Sequence, residues 1–170
     1  MSDDTPKTGS ASVSRVHLFG PAVATVAIDQ LTKTLIVARM SVGESMPVLG
    51  PYLSLTRRTN TGGAFGILQG NAILLAVIGV SVICALAIVG PRIAGANRPV
   101  LWSFGLVLGG ALGNLLDRVL LGHVVDFIDF HVWPVFNVAD IGITCGAALL
   151  FVCLLLDSRV QEAAGSDDGS

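Results

Sequence analysis

Asp126 and Asp140 flank a short loop in a chain that is otherwise mostly lipid-soluble. A carboxylate at the edge of a hydrophobic slab is costly to place, and a charge there marks a functional site by default. Two carboxylates held close together cannot both ionise cheaply. One keeps a proton and the other stays a base, which is the division of labour needed to turn water against a carbonyl. The pair therefore points to aspartyl chemistry at a bilayer surface. Asp129 competes with Asp126 for the partnership by local spacing, and the residues alone do not choose between them.

Other polar residues interrupt apolar stretches. Asn114, Asp117 and Arg118 stand at i, i+3 and i+4, hence on one helix face. They serve there either as hydrogen-bonding glue between helices or as a binding surface. Asn137 is placed to cap a helix that begins just after it, and Asp140 suits the positive end of that helix. Asp29 and Lys33 make an i,i+4 pair, which reads as a couple with the lysine snorkelling outward. Asn60, in a glycine-rich stretch, is a turn residue by default. Gly109, Gly110 and Gly113 permit close helix approach and leave room for a substrate helix. Cys84, Cys145 and Cys153 lie in apolar runs, form no CxxC pair and are not grouped with His17, His123 or His131. No metal site is expected, and the cysteines read as buried small apolar side chains. His123 and His131 read as ordinary loop residues at the interface.

The elements that must position these groups follow from composition. The 170 residues are 52% hydrophobic and 13% charged, with mean hydropathy +0.76. A soluble domain carries about 25% charged residues, so the natural solvent of this chain is a bilayer. Net charge is −2 with no basic stripe, and nucleic acid is excluded as a partner. Four apolar spans are predicted, near residues 16–39, 71–89, 100–121 and 137–156, each long enough to cross a core of about 30 Å. The first is too long for a cleavable signal peptide, and its charges lie at its far end. The expected fold is an α-helical integral membrane protein with four transmembrane helices and a small extracytoplasmic β-like surface segment. One or two short strands are expected in residues 41–69, from the alternation Tyr52-Leu53-Ser54-Leu55-Thr56. Residues 1–14 and 158–170 read as disordered tails around a single membrane domain, 15–157. Antiparallel spans bring Asp29 and Lys33, Asn114, Asp117 and Arg118, and Asn137 and Asp140 to the same face.

Four blocks, in order along this frame, resemble the lipoprotein signal peptidases (signal peptidase II). They are Asp29-Gln30-Leu31-Thr32-Lys33, Asn60-Thr61-Gly62-Gly63-Ala64-Phe65, the run from Gly109 to Arg118, and the aspartate segments ending in Phe136-Asn137-Val138-Ala139-Asp140. Gly63 departs from the family, where alanine is more usual. The resemblance implies that Asp126 and Asp140 are the catalytic dyad and leaves Asp129 a loop residue. It makes Asn60, Asn114, Arg118 and Asn137 substrate contacts and gives Asp29 a supporting place among them, with Asp117 more structural. It further implies removal of the signal peptide from diacylglyceryl-modified prolipoproteins, just before the lipidated cysteine, without metal or cofactor. The implied partners are such prolipoproteins and membrane lipids, and the enzyme is expected to act as a monomer.

The rival reading is a small polytopic carrier or proton-coupled transporter, since intramembrane Asp, Asn and Arg also mark ion paths. A carrier predicts polar groups along the whole depth of the spans and an internal repeat. Here the polar groups gather at one end and residues 59–91 carry no charge. Lysine and arginine are balanced between the two sides, so orientation is not set by charge. The family resemblance implies a bacterial inner (plasma) membrane protein with its active site toward the extracytoplasmic side.

Overall fold

The computed structural model describes residues 8–62, 71–95 and 97–167. Helix α1 spans Thr8–Arg39, α2 Ala72–Ala94, α3 Arg98–Leu121 and α4 Val138–Asp167. Strands β1, Ser45–Leu49, and β2, Leu53–Asn60, lie between α1 and α2, while β3, Val124–Asp129, joins α3 to α4. All four helices are long and apolar enough to cross a membrane. The helical backbone runs into both segments expected to be disordered, back to Thr8 and out to Asp167; residues 1–7 and 168–170 lie outside the described residues.

Helix α3 is the centre of the bundle. More than half of its span is buried, against 6% of the α2 span. Glycine explains the difference. A Cβ on Gly105 or Gly109 would collide with the carbonyls of Leu18 or Ala22 on α1, and one on Gly110 with the carbonyl of Ala139 on α4. Small residues let backbones touch where lipid gives no hydrophobic drive for helices to associate. Helix α2 packs mainly against α3 and leaves a gap towards α4. Asn97 caps α3 by accepting from Val100 N at 3.3 Å, with a proline in the first turn, and Gly122 ends it in the left-handed region at φ 76°. The three cysteines are a correction: Cys84 and Cys145 are exposed and Cys153 half-exposed. In a bilayer the outward face of a helix is as apolar as a core, so hydrophobicity did not imply burial.

The expected surface strands form an antiparallel sheet in the order β1-β2-β3. The third strand was not expected, because residues 122–136 read as loop. Its signal was the β-branched and aromatic residues around Asp126, Val124, Val125, Phe127 and Ile128. A three-residue offset in a period-2 strand puts Asp126 and Asp129 on opposite faces, and Asp126 is the buried one. The sheet is tied to α1 by Arg57, whose Nη1 donates to the carbonyls of Met40 at 2.6 Å and Val37 at 3.3 Å. These are among the carbonyls that a helix C-terminus leaves unpaired. Beneath the sheet, Ile36 and Met40 pack with Val125 and Phe127. Phe136 then pairs with Ile128 beside β3, which delivers the chain to the start of α4.

Candidate active site

The two strand ends and two helix ends converge on one polar cluster. Asp126, on β3, is 3% exposed. Its Oδ1 accepts from Asn137 Nδ2 at 2.7 Å and its Oδ2 from Asn60 Nδ2 at 2.9 Å. Asp140, in the first turn of α4, accepts from Asn114 Nδ2 at 2.8 Å on Oδ1 and from Asn137 N at 3.3 Å on Oδ2. Asp140 N returns the bond to Asn137 Oδ1 at 3.0 Å, so Asn137 and Asp140 form a reciprocal helix cap. Asn137 Nδ2 also donates to Asn114 Oδ1 at 3.1 Å. The two carboxylates are thus linked through two amides.

Behind them lies a second layer. Lys33 Nζ contacts Asp29 Oδ2 at 2.8 Å, Asp117 Oδ2 at 2.9 Å and Asn114 Oδ1 at 3.1 Å. Its side chain is only 3% exposed, so the expected snorkelling is corrected: the ammonium stays inside, because three acceptors await it there. Asp29 Oδ1 accepts from Ala139 N at 2.8 Å, and Asp117 Oδ2 from Val125 N at 3.0 Å. Each of these carboxylates therefore holds the backbone of the residue preceding Asp140 or Asp126. Gln30, which the sequence reading did not weigh, donates to Asp117 Oδ1 at 2.9 Å and to Gly113 O at 3.2 Å.

A cavity of about 800 Å³ opens in front of the carboxylates. Asp126, Asp140, Asn60, Asn114 and Arg118 line it on the polar side, and Leu75, Ile78 and Ile143 on the apolar side. Arg118 donates from Nη1 to Asn114 O at 3.2 Å and from Nη2 to Gly62 O at 3.1 Å. Asn60 is both turn and site residue: its Oδ1 accepts from Gly62 N at 2.9 Å while its amide holds Asp126. Gly63, Ala64 and Phe65 of that block lie outside the described residues. Asn137 and Asp29 are fully buried and do not line the cavity. Their expected contact with substrate is corrected to support from behind, because their polar atoms are consumed by Asp126, Asp140, Asn114, Lys33 and Ala139 N.

The electrostatics separate the competing aspartates. Burial, reinforced by the neighbouring Asp140, raises the Asp126 carboxyl from 3.8 to about 6, against the opposing hydrogen bonds of Asn60 and Asn137 and the charge of Lys33. Burial also acts on Asp129, but bonds from His131 N and Thr56 and the charges of His131 and Arg58 outweigh it and leave the carboxyl below its ordinary range. Asp129 is thus a stable anion tied to its own loop, where His131 N donates to Oδ1 at 2.8 Å. Asp126 is a carboxyl that can hold or release a proton near neutrality. No cluster of three or more His, Cys, Asp or Glu side chains suited to a metal occurs among the described residues.

Comparison with known proteins fits this geometry. The profile of the family described as Signal peptidase (SPase) II matches residues 21–156. The lipoprotein signal peptidase of Halothermothrix orenii is 45% identical over 137 residues, covering 81% of this chain and 94% of the relative. That of Rhodococcus jostii is 43% identical over 168 residues, covering 91% of this chain and 82% of the relative. A bacterial membrane enzyme solved by the in meso method at 2.3 Å superposes with a TM-score of 0.78 at 38% identity, covering 81% of this chain and 87% of that one. A second, at 1.9 Å, gives 0.74 at 34% identity over 91% and 98%. On sequence and on architecture, the chain belongs to the signal peptidase II family.

Proposed function

We propose that Asp126 and Asp140 are the catalytic dyad of an aspartic endopeptidase that removes signal peptides from prolipoproteins. The observation that carries the reading is the amide-linked pair at the wall of a cavity set at the ends of the spans. One carboxylate takes a proton from a water, which attacks the scissile carbonyl; its protonated partner donates to the developing oxyanion. The pair titrates as a unit, so the two roles are not divided between named residues. Asn60, Asn114 and Arg118 face the cavity and are the substrate contacts in this account. Asn137 and Asp29 keep the dyad in place.

The substrate is membrane-bound. A cavity with one polar wall and one wall of Leu75, Ile78 and Ile143, bordered by a sparsely packed α2, suits a peptide that arrives laterally with its signal helix and acyl chains in the bilayer. Cleavage falls just before the diacylglyceryl-modified cysteine. The exposed apolar residues Val42, Met46, Val48 and Tyr52 let the β1–β2 hairpin rest on the lipid and border the peptide. In this reading the site faces the extracytoplasmic side of the bacterial plasma membrane, and one protomer suffices. The carrier reading loses its support, since the buried charged side chains, Asp29, Lys33, Asp117 and Asp126, cluster at one end of the bundle. The test uses purified protein in detergent with diacylglyceryl-modified and unmodified forms of one precursor. The modified form is cleaved to a product that begins at the modified cysteine; equal rates on both forms would refute the substrate assignment.

A further inference from the structure

Lys33 is a buried cation that the reaction as derived above leaves without a task. Its ammonium is donor-only, so whichever atom of Asn114 meets it must be the amide oxygen. The Asn114 NH2 group is thereby turned towards Asp140 Oδ1, at 2.8 Å. Asn137 is oriented from the other end. Its Oδ1 is claimed by Asp140 N in the helix cap, so its NH2 group faces Asn114 Oδ1 and Asp126 Oδ1. The two amides could each turn over with little change of shape, and such a turn would set oxygen against a carboxylate. The helix cap forbids it for Asn137. The Asn137 amide favours the right orientation of Asn114, but the charge-assisted bond from Lys33 is roughly twice as strong as a neutral one.

Lys33 also joins the two carboxylates that hold the dyad's backbone, Asp29 on Ala139 N and Asp117 on Val125 N. One ammonium on α1 thus ties together the polypeptide on both sides of the site. We infer that Lys33 is a positioning residue for the cleavage reaction, acting through Asn114, Asp29 and Asp117 to set the orientation of the amides and the separation of Asp126 and Asp140. The inference rests on the reading of that pair as the catalytic dyad.

The charge supplies a signature that a merely structural lysine lacks. Asp126 faces Lys33 from α1, Asn60 from β2, Asp140 from α4, Asn137 from the cap before it, and Arg118 from α3. Lys33 holds the Asp126 carboxyl down against its burial. Lys33→Met keeps the length and apolar stem but removes both donor and charge. Turnover of a lipidated precursor should fall at least about tenfold with KM within about threefold, as misplacement of reacting groups does. The pH–rate profile should move to higher pH, and Lys33→Arg should return the profile and part of the rate. Wild-type turnover in Lys33→Met, or a lost rate with an unmoved profile, overturns the inference. If Lys33→Met does not fold, Asp29→Asn/Lys33→Met conserves the net charge of the cluster. A rate at least about tenfold below Asp29→Asn alone supports the inference; an equal rate, or failure of the pair to fold, assigns Lys33 to stability and overturns it. Wild-type protein that cleaves no lipidated precursor would instead defeat the dyad reading itself.

Discussion

At the scale of the residue, the site holds a carboxyl that folding works against. Burial raises Asp126 from 3.8 to about 6, so the folded chain binds that proton more tightly than the unfolded chain. The sign follows: its contribution to stability is most favourable below 3.8 and is lost as pH rises through about 6. At about 1.4 kcal/mol per pKa unit, the loss is about 3 kcal/mol. Asp126→Asn cannot titrate. Its stability relative to wild type should improve by up to about 3 kcal/mol between pH 4 and pH 8, measured by reversible unfolding in detergent. A difference that stays constant with pH would contradict the burial argument. Residue types alone left Asp126 and Asp129 level, because both sit beside a bilayer in an apolar run. What distinguishes them, the strand face each occupies, needed β3 and its partner β2. Lys33 was misjudged for a similar reason: an i,i+4 pair looks self-contained until Asp117 and Asn114 arrive from another helix.

At the scale of the element, the four spans were legible because length and hydropathy set them directly, and parity brought the polar residues to one end. The strand β3 was not legible beside two aspartates in a short run read as loop. The packing order was only half legible. Glycines on α3 indicated close contact, but not that Gly105 and Gly109 meet α1 while Gly110 meets α4. That contact matters to the site, since the carbonyl against Gly110 belongs to Ala139, the neighbour of Asp140. Gly110→Ala should push the start of α4 away, lowering stability by about 1–3 kcal/mol and turnover at least about tenfold. Gly20→Ala, where a Cβ meets nothing within 4 Å, is the control and should leave both near wild type. Thermal unfolding and precursor cleavage on the two variants check this; a wild-type Gly110→Ala would remove the helix contact from the account.

At the scale of the whole molecule, the fold is a device for bringing five chain segments to one level of the membrane. Helix α1 supplies the ammonium, α3 the amide and guanidinium, β3 one carboxylate and α4 the other, while the β1–β2 hairpin places Asn60. If the site faces outward, as proposed, a cysteine introduced at Glu44 in a protein freed of Cys84, Cys145 and Cys153 is labelled by an impermeant maleimide in intact cells. Labelling only after lysis would reverse the orientation. The most direct test of the central claim is the turnover of one lipidated precursor by purified wild type, Asp126→Asn, Asp140→Asn and Asp157→Asn. The account predicts cleavage by wild type and by Asp157→Asn, whose carboxylate lies at the far end of the α4 span. It predicts a loss of at least about a thousandfold in each dyad variant, the scale at which general acid–base and oxyanion contributions combine. Near-wild-type turnover in either Asp126→Asn or Asp140→Asn would contradict it.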